Sequence, residues 1–205
     1  MSVESFSGEP LPNFSRSDRR GSGGFSDVFQ DPNNSGRLIK VFKTPLVGQA
    51  AERVIRLLRI ENWARPSDSE RFLSRFAWPL ECFGRPEEIT GFSMAEAPPG
   101  YWFELQVGRK TDRKLLQVKF LSDANYWRSG AVHSDQPEFS ESLRRELAID
   151  IFESLGALHR NGLVYGDISS NNICACVGQF PRGFFLDADS IGLPEELEGS
   201  DLLTP

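Results

Sequence analysis

The sequence predicts a mixed α+β fold in two parts, and three observations lead to it. A glycine cluster, strand-like segments and an amphipathic helix occupy the first part of the chain. A long amphipathic helix and then short strand-like segments occupy the second part. With 205 residues, of which 39% are hydrophobic, the chain is long enough to bury a substantial core. This order of elements is typical of two packed α+β lobes.

The first part begins with two predicted strands behind a polar segment. Residues 1–17 are polar and contain prolines and serines, so we expect a flexible lead-in. Residues 25–30 and 37–43 have strand character, and the connection between them is rich in Asp, Pro, Asn and Gly. These two segments therefore predict neighbouring antiparallel strands.

Helical periodicity follows the strands. Residues 50–63 carry apolar side chains at helical spacing. Ser67 and Glu70 have the spacing of a capping box, which predicts that a second, shorter helix begins there. Residues 89–95 predict another strand, which ends before a Pro-Pro-Gly sequence.

The second part contains the longest predicted helix, at residues 140–160. Four apolar residues recur there at helical spacing: Leu147, Ile151, Leu155 and Leu158. Gly162 follows where a left-handed C-cap is expected, and we interpret His159 as a packing residue. Residues 106–138 have no clean period and predict no element. Three short strands are predicted at residues 163–165, 173–177 and 184–186.

Composition excludes several classes of protein. The three cysteines form no CxxC pair, which argues against a disulfide scaffold and a zinc finger and favours a reducing compartment. The N-terminus has no secretory signal pattern, and no apolar run approaches the 18 or so residues of a membrane helix. The net charge of −6 argues against a basic surface for nucleic acid. We expect a cytoplasmic protein that binds neither membranes nor, directly, nucleic acid.

The glycine cluster is the first candidate binding element. Residues 21–28 have the form G-x-G-x-F-S-x-V, and glycine lets backbone amides approach a polyphosphate closely. No GK[ST] sequence follows, so the segment is not a P-loop. By itself the pattern is more typical of a flexible loop. The candidate cofactor-binding residues are Gly21, Ser22, Gly23, Gly24, Phe25 and Val28.

Lys40 is unusual because it lies inside an apolar strand. Strand alternation places it on the same face as Leu38 and Phe42, where a lysine that only needs water is not expected. The alternative is an edge-strand lysine that prevents aggregation. Lys43 matches that alternative better than Lys40 does.

Two acidic motifs occur in the second part. Asp167 and Asn172 form a D-x-x-x-x-N sequence, and the strand at residues 184–186 is followed directly by Asp187. Carboxylate and amide oxygens are the hard ligands that Mg²⁺ prefers. Each motif alone is better explained by a turn or a helix cap.

Together and in this order, the motifs resemble the protein-kinase superfamily over about residues 18–192. Residues 77–80, 91–94 and 187–190 are also similar to a bacterial Ser/Thr kinase-like group, whose members often carry a helix-hairpin-helix DNA-binding motif that is absent from this sequence. The resemblance implies a two-lobed fold. It implies an N-lobe with an antiparallel sheet and an αC helix at residues 18–97, and an incomplete helical C-lobe at residues 98–205.

The resemblance implies ATP and Mg²⁺ as cofactors, and it assigns residues to the nucleotide. Lys40 would contact the α- and β-phosphates, held by a helix carboxylate, with Glu52 as the first candidate and Glu61 as the second. Backbone groups of the hinge would contact adenine, and the hinge candidates are Met94, Glu96 and Ala97.

The same resemblance assigns the chemistry to the second part. Asp167 would orient or deprotonate the acceptor hydroxyl. Asn172 and Asp187 would bind Mg²⁺, and Asp189 would support them without direct coordination.

The sequence departs from the kinase pattern at several positions. Ser26 replaces the third loop glycine, Tyr-Gly at residues 165–166 replaces His-Arg, and Ser169 replaces a lysine. The DFG triplet reads Asp-Ala-Asp at residues 187–189. Few residues follow this triplet, so we expect the substrate-binding helices to be incomplete.

Three functions remain open on this reading. The resemblance implies transfer of the γ-phosphoryl group of ATP to a Ser/Thr hydroxyl. A pseudokinase or nucleotide-binding scaffold is the first alternative, favoured by Ser169 and the incomplete C-lobe. A small-molecule kinase of the aminoglycoside-phosphotransferase type is the second, favoured by the Gly166–Asp167 pair. The acceptor is therefore an unidentified protein or small molecule.

Overall fold

The computed structural model describes residues 11–107, 110–122, 140–176 and 180–193, and these residues form a mixed α+β fold, as the sequence predicts. The largest sheet contains β1 Arg19–Ser22, β2 Ser26–Gln30, β3 Arg37–Val47, β4 Pro79–Arg85 and β5 Glu88–Ala95. Its strands are antiparallel and lie in the order β1-β2-β3-β5-β4. Neighbouring strands in sequence are thus mostly neighbours in space.

The helices and smaller strand pairs complete the described fold. The α-helices are α1 Gln49–Leu58, α2 Pro66–Arg75, α3 Val118–Ser122 and α4 Glu141–Arg160. The remaining strands are β6 Trp102–Val107, β7 Lys110–Leu115, β8 Val164–Tyr165, β9 Ile173–Cys176, β10 Arg182–Phe185 and β11 Ile191–Gly192. They form three antiparallel pairs, which join β6 to β7, β8 to β11 and β9 to β10.

Strand β3 is longer than the sequence predicts, because it continues through Pro45 to Val47. Proline cannot donate a ladder hydrogen bond and is tolerated only where the ladder is interrupted. The β3–β5 pairing shifts register between Val41 and Leu46, so the ladder is interrupted at Pro45.

Two helix predictions are wrong in detail. Helix α1 ends at Leu58, and a 3₁₀ turn at Ile60–Asn62 replaces the rest of the predicted helix. The capping box predicted at Ser67 is absent, because α2 begins one residue earlier with Pro66 at its first turn and has no side-chain cap. Proline is favoured there since the first helical N–H has no intrahelical partner.

Helix α4 matches its prediction closely. Ser140 is the N-cap, and its side chain accepts a hydrogen bond from the Leu143 N–H. Gly162 has a φ of +68°, the left-handed conformation expected just after the helix. His159 is exposed rather than packed, because it lies about 100° around the helix from the buried Leu158.

Residues 11–17, the described part of the predicted flexible lead-in, include a side chain that packs on the sheet. The Phe14 ring stacks on the Phe29 ring of β2, with ring centroids 4.4 Å apart. Residues 1–10 lie outside the described residues, as do residues 123–139, Val177 at the end of a predicted strand, and residues 194–205 of the predicted C-lobe.

Three hydrophobic clusters hold the described elements together, and the two larger ones are the main cores. One lies between the five-stranded sheet and α1 and contains Phe42, Val54 and Phe92. The other joins α2, α4 and the short strands through five buried aromatic side chains: Phe72, Phe76, Trp78, Tyr165 and Phe185. These cores fix the positions of the segments that carry the acidic motifs.

The cysteines are all free, and burial raises the pKa of Cys82 and Cys174 to about 12. Their thiols therefore stay protonated at neutral pH. Among the described residues, no helix has the length and apolar character needed to cross a membrane.

A buried carboxylate joins α2 to the end of α4. Asp68 is 5% exposed. Its oxygens accept hydrogen bonds from Asn161 Nδ2 at 2.9 Å and from Arg160 Nη2 at 3.2 Å. The Asn161 hydrogen bond is the main cause that lowers the pKa of Asp68 below its ordinary 3.8; burial opposes it and Arg160 adds to it.

We expect this junction to weaken in acid. A lowered carboxyl pKa adds stability that is complete above the ordinary value of 3.8 and is lost as pH falls toward the folded-state value. Asp68→Asn should therefore lower the free energy of unfolding by about 1.5–3 kcal/mol at pH 7 and by less at pH 3. Urea denaturation across this range measures the difference. Equal losses at both pH values would contradict a role for the Asp68 charge.

Candidate functional site

A cleft of about 630 Å³ lies between the five-stranded sheet and the segments that follow α4. Its volume is in the range of small-molecule sites. The glycine cluster and the two acidic motifs both line it, although they are far apart in sequence. The predicted residues that line it are Gly21, Ser22, Gly23, Gly24, Phe25, Val28, Lys40, Asp167, Asn172, Asp187 and Asp189.

The glycine cluster forms the turn between β1 and β2. The Gly23 N–H donates to the Ser26 carbonyl at 2.8 Å, and Phe25 at the tip is 74% exposed. Lys43, interpreted from sequence as an edge lysine, also lines the cleft, and its Nζ donates to the Gly23 carbonyl at 2.5 Å. Lys43 therefore ties the glycine turn to β3.

The folded chain itself does not require glycine at this turn. No glycine there has a positive φ. A Cβ added at Gly21 or Gly23 would meet neighbours at 3.9 and 3.7 Å, which is ordinary contact, and one added at Gly24 would meet nothing within 4 Å. Gly21, Gly23 and Gly24 line the cleft without side chains, so a ligand can approach their backbone closely.

Lys40 lies on β3, 5% exposed, between Val28 of β2 and Phe92 of β5. Its Nζ donates to Asp187 Oδ1 at 2.9 Å and to Asp189 Oδ1 at 2.6 Å. Burial opposes the charged ammonium, but the two carboxylates outweigh it and raise the pKa of Lys40 above its ordinary value. Lys40 is therefore a buried cation at physiological pH. It contacts Asp187 although the two residues are 147 positions apart in sequence.

Asp187 has an unusual backbone conformation. With φ 49° and ψ 46° it is left-handed, and no other non-glycine residue of the described chain has a positive φ. Such a conformation costs a non-glycine residue about 1–3 kcal/mol and persists where the surrounding structure imposes it. Here it redirects the chain from β10 into the 3₁₀ turn Ala188–Ser190, which brings Asp189 as well as Asp187 to Lys40.

Asp167 and Asn172 contact each other directly. Asn172 Nδ2 donates to Asp167 Oδ2 at 2.7 Å and to the Asp167 carbonyl at 3.2 Å, which closes the loop between β8 and β9. The Leu186 N–H donates to the Asn172 carbonyl at 2.8 Å. This bond joins the loop to the residue that precedes Asp187.

Two further hydrogen bonds fix the acidic segments relative to each other. The Tyr165 hydroxyl donates to the Leu186 carbonyl, and burial raises the pKa of Tyr165, so the hydroxyl stays protonated. The Gly166 N–H donates to the Ser190 carbonyl at 3.2 Å. The segments that carry Asp167 and Asp187 thus form one connected unit.

The structure does not place Glu52 or Glu61 at Lys40. Both side chains are exposed, neither lines the cleft, and the described ion pairs of Lys40 are with Asp187 and Asp189. Glu52 borders a separate groove on the outer side of α1. Two residues along a helix are about 200° apart around its axis, so Glu52 lies opposite the buried Val54.

The predicted hinge does not line the cleft either. Met94 is buried in the core beneath the sheet. The Glu96 N–H donates to the Gly36 carbonyl at 3.1 Å, and the Ala97 carbonyl accepts from Trp102 Nε1 at 2.9 Å. Two of the backbone groups at the predicted hinge, the Glu96 N–H and the Ala97 carbonyl, are therefore already hydrogen-bonded within the protein.

Several cleft residues were not predicted from sequence. Arg53 and Ser190 are buried and line the cleft. Arg53 belongs to no recognised motif, and Ser190 ends the 187–190 segment but had no role assigned to it there. The periodicity of α1 carries the signal for Arg53, because Ala51, Val54 and Leu57 share its buried face. Ser190 has no comparable signal, since it lies in a 3₁₀ turn whose direction depends on the left-handed Asp187.

The side-chain oxygens at the cleft could coordinate Mg²⁺ only together with further oxygen ligands from a bound phosphate and water. Within the described ranges, no three His, Cys, Asp or Glu side chains are grouped to hold a metal ion. Asn172 Nδ2 donates to Asp167, which leaves its amide oxygen as an acceptor, and the Asp187 side chain is 45% exposed. Because Mg²⁺ commonly takes one or two protein oxygens together with phosphates and water, these donors fit it.

Comparison with known proteins adds no assignment. No protein-family model matches the sequence, and the curated proteins give no significant match.

Proposed function

We propose that the chain is a protein-kinase-like, two-lobed domain that binds ATP with Mg²⁺ and transfers the γ-phosphoryl group to a Ser/Thr hydroxyl. The observation that carries the proposal is the buried Lys40, which meets Asp187 across a cleft that also contains the glycine turn and the Asp167–Asn172 loop. This arrangement combines a phosphate-binding cation, oxygen ligands for a metal and a carboxylate exposed to the cleft.

The glycine turn supports a polyphosphate ligand. Neither backbone conformation nor packing requires its glycines, so close approach of a ligand to the backbone accounts for them best. Lys40 would bind the phosphates with Asp189 as its counter-ion, and Asp187 would hold Mg²⁺.

Asp167 supports transfer as well as binding. Its carboxylate is exposed and held by Asn172, as a group that orients an acceptor hydroxyl must be. Phosphoryl transfer depends mainly on positioning and charge neutralisation, so few residues suffice for it. Mg²⁺, bound by Asn172 and Asp187, would supply charge neutralisation at the phosphates.

The second candidate function is a nucleotide-binding scaffold without turnover. Ser169, which stands where the kinase resemblance implies a lysine, favours it. A small-molecule acceptor is a third possibility, and acceptor assays separate it from a protein acceptor.

The nucleotide site predicts a metal-dependent stabilisation. ATP with Mg²⁺ at about 100 times its Kd should stabilise the protein by about 2.7 kcal/mol, a rise in Tm of about 5–10 °C. Asp187→Asn should abolish the difference between ATP with Mg²⁺ and ATP with EDTA, since asparagine tolerates the left-handed backbone but removes the charge. Thermal denaturation measures both effects.

Glu52→Gln is the matched control, because Glu52 is exposed and does not line the cleft. It should keep the full metal-dependent shift. No shift of the parent protein at millimolar ATP and Mg²⁺ would contradict nucleotide binding. An unchanged shift in Asp187→Asn would remove Asp187 from the metal site.

A further inference from the structure

Two buried polar side chains at the cleft lack hydrogen-bond partners. Arg53 is 6% exposed and Ser190 is 5% exposed, and both line the cleft. Within the described residues, neither Arg53 Nε nor Ser190 Oγ has a hydrogen-bond partner, and the Arg53 guanidinium forms no ion pair. Buried polar groups are nearly always satisfied, so two at one place require an explanation.

The two side chains come from elements that pack against each other. Arg53 projects from α1, which contacts the 3₁₀ turn Ala188–Ser190. That turn also carries Asp189, a partner of Lys40. The sequence predicted that a carboxylate of this helix, Glu52, would face the cleft. The structure instead places the positively charged Arg53 there.

The charges around Lys40 explain why an arginine is useful there. In the described structure Lys40 is compensated by two carboxylates, whereas the nearby Arg53 has none. A buried cation without a counter-ion is costly, and an anionic ligand removes that cost. The guanidinium offers several N–H donors in a planar fork that matches phosphate, and Ser190 adds a hydroxyl donor.

We propose that Arg53 and Ser190 form a phosphate subsite of the cleft, which binds the phosphate chain of the nucleotide beside Lys40. The inference rests on the proposed nucleotide function and adds a second cation to it. Asp187 and Asp189 already neutralise much of the charge of Lys40. Arg53 therefore contributes additional positive charge for binding the phosphates.

Calorimetric titration with adenosine, ADP and ATP in the presence of Mg²⁺ tests the subsite. Arg53→Gln should weaken ATP binding about 10- to 100-fold, the loss expected for a hydrogen bond to a charged group. It should leave adenosine binding unchanged. Ser190→Ala should weaken ATP binding less, about 3- to 10-fold, since it removes one neutral donor.

Arg59→Gln is the control, because it removes the same charge from an exposed residue at the end of α1 that does not line the cleft. Its ATP affinity should equal that of the parent. If circular dichroism shows that Arg53→Gln is unfolded, Arg53→Lys and Ser190→Ala test the subsite instead. Each should still weaken ATP binding relative to adenosine binding.

The outcomes separate this inference from the proposed function. A parent protein that binds no ATP overturns the proposed function and the subsite with it. A parent that binds ATP, together with folded Arg53 and Ser190 variants of unchanged ATP affinity, overturns the subsite alone. The second outcome would mean that another group of the protein itself satisfies Arg53.

Discussion

Replacing Asp167 with asparagine is expected to slow phosphoryl transfer about 10²- to 10⁴-fold while leaving ATP affinity nearly unchanged. Asparagine keeps the shape of the side chain and an oxygen that can accept from Asn172 Nδ2, so the loop should keep its conformation. It removes the carboxylate that would orient or deprotonate the acceptor hydroxyl. The lysine and glycine groups assigned to the phosphates are untouched.

Transfer from radiolabelled ATP to Ser/Thr peptides and to small hydroxyl-bearing acceptors measures this effect, and calorimetry measures ATP binding. Glu61→Gln is the control, because Glu61 is exposed and lies away from the cleft. Full activity in Asp167→Asn would remove that residue from its role. A parent that binds ATP but phosphorylates no acceptor would support the scaffold function instead. Preference for small acceptors would support a small-molecule kinase.

Phe76→Ala is expected to lower the free energy of unfolding by about 3–5 kcal/mol. Phe76 is 0% exposed, and its ring stacks on the Phe185 ring with centroids 4.4 Å apart. It also meets the rings of Trp78 and Tyr165 edge-on. Because so many neighbours are held in place, the cavity left by alanine cannot collapse fully.

Phe152→Ala is the matched control, since Phe152 is 71% exposed on α4. Its effect should stay within about 0.5 kcal/mol. Urea denaturation of the two variants gives the comparison. Equal losses would contradict the central role of the aromatic cluster. A loss at Phe76 should also weaken ATP binding, because Phe185 lies on the strand that leads into Asp187.

The sequence alone was sufficient for the strands and helices with regular periodicity. Helix α4 was predicted over residues 140–160 with a left-handed Gly162 after it, because its apolar spacing and its C-terminal glycine are local signals. Strand β4 was not predicted, since its pairing with β5 shifts register twice and has no simple alternation. Strand β7 was also missed, because its residues 111–114 are polar and exposed and carry no alternation.

For the candidate site, the sequence determined which residues were unusual. Lys40 was singled out because strand alternation placed a charge on an apolar face, and in the structure it is buried. Asp167 and Asn172 are only five residues apart, so a local sequence motif was enough to identify both residues. Such conclusions need only the residue and its near neighbours in sequence.

Only the tertiary structure decided which groups meet. Lys40 pairs with Asp187 and Asp189 instead of Glu52, because the left-handed backbone at Asp187 turns both carboxylates toward β3 while Glu52 faces outward. The partners of a buried charge are set by elements distant in sequence, and no local pattern contains that information. The same holds for Arg53. Its burial at the cleft without a described hydrogen-bond partner depends on how α1 packs there, and the sequence does not contain that information.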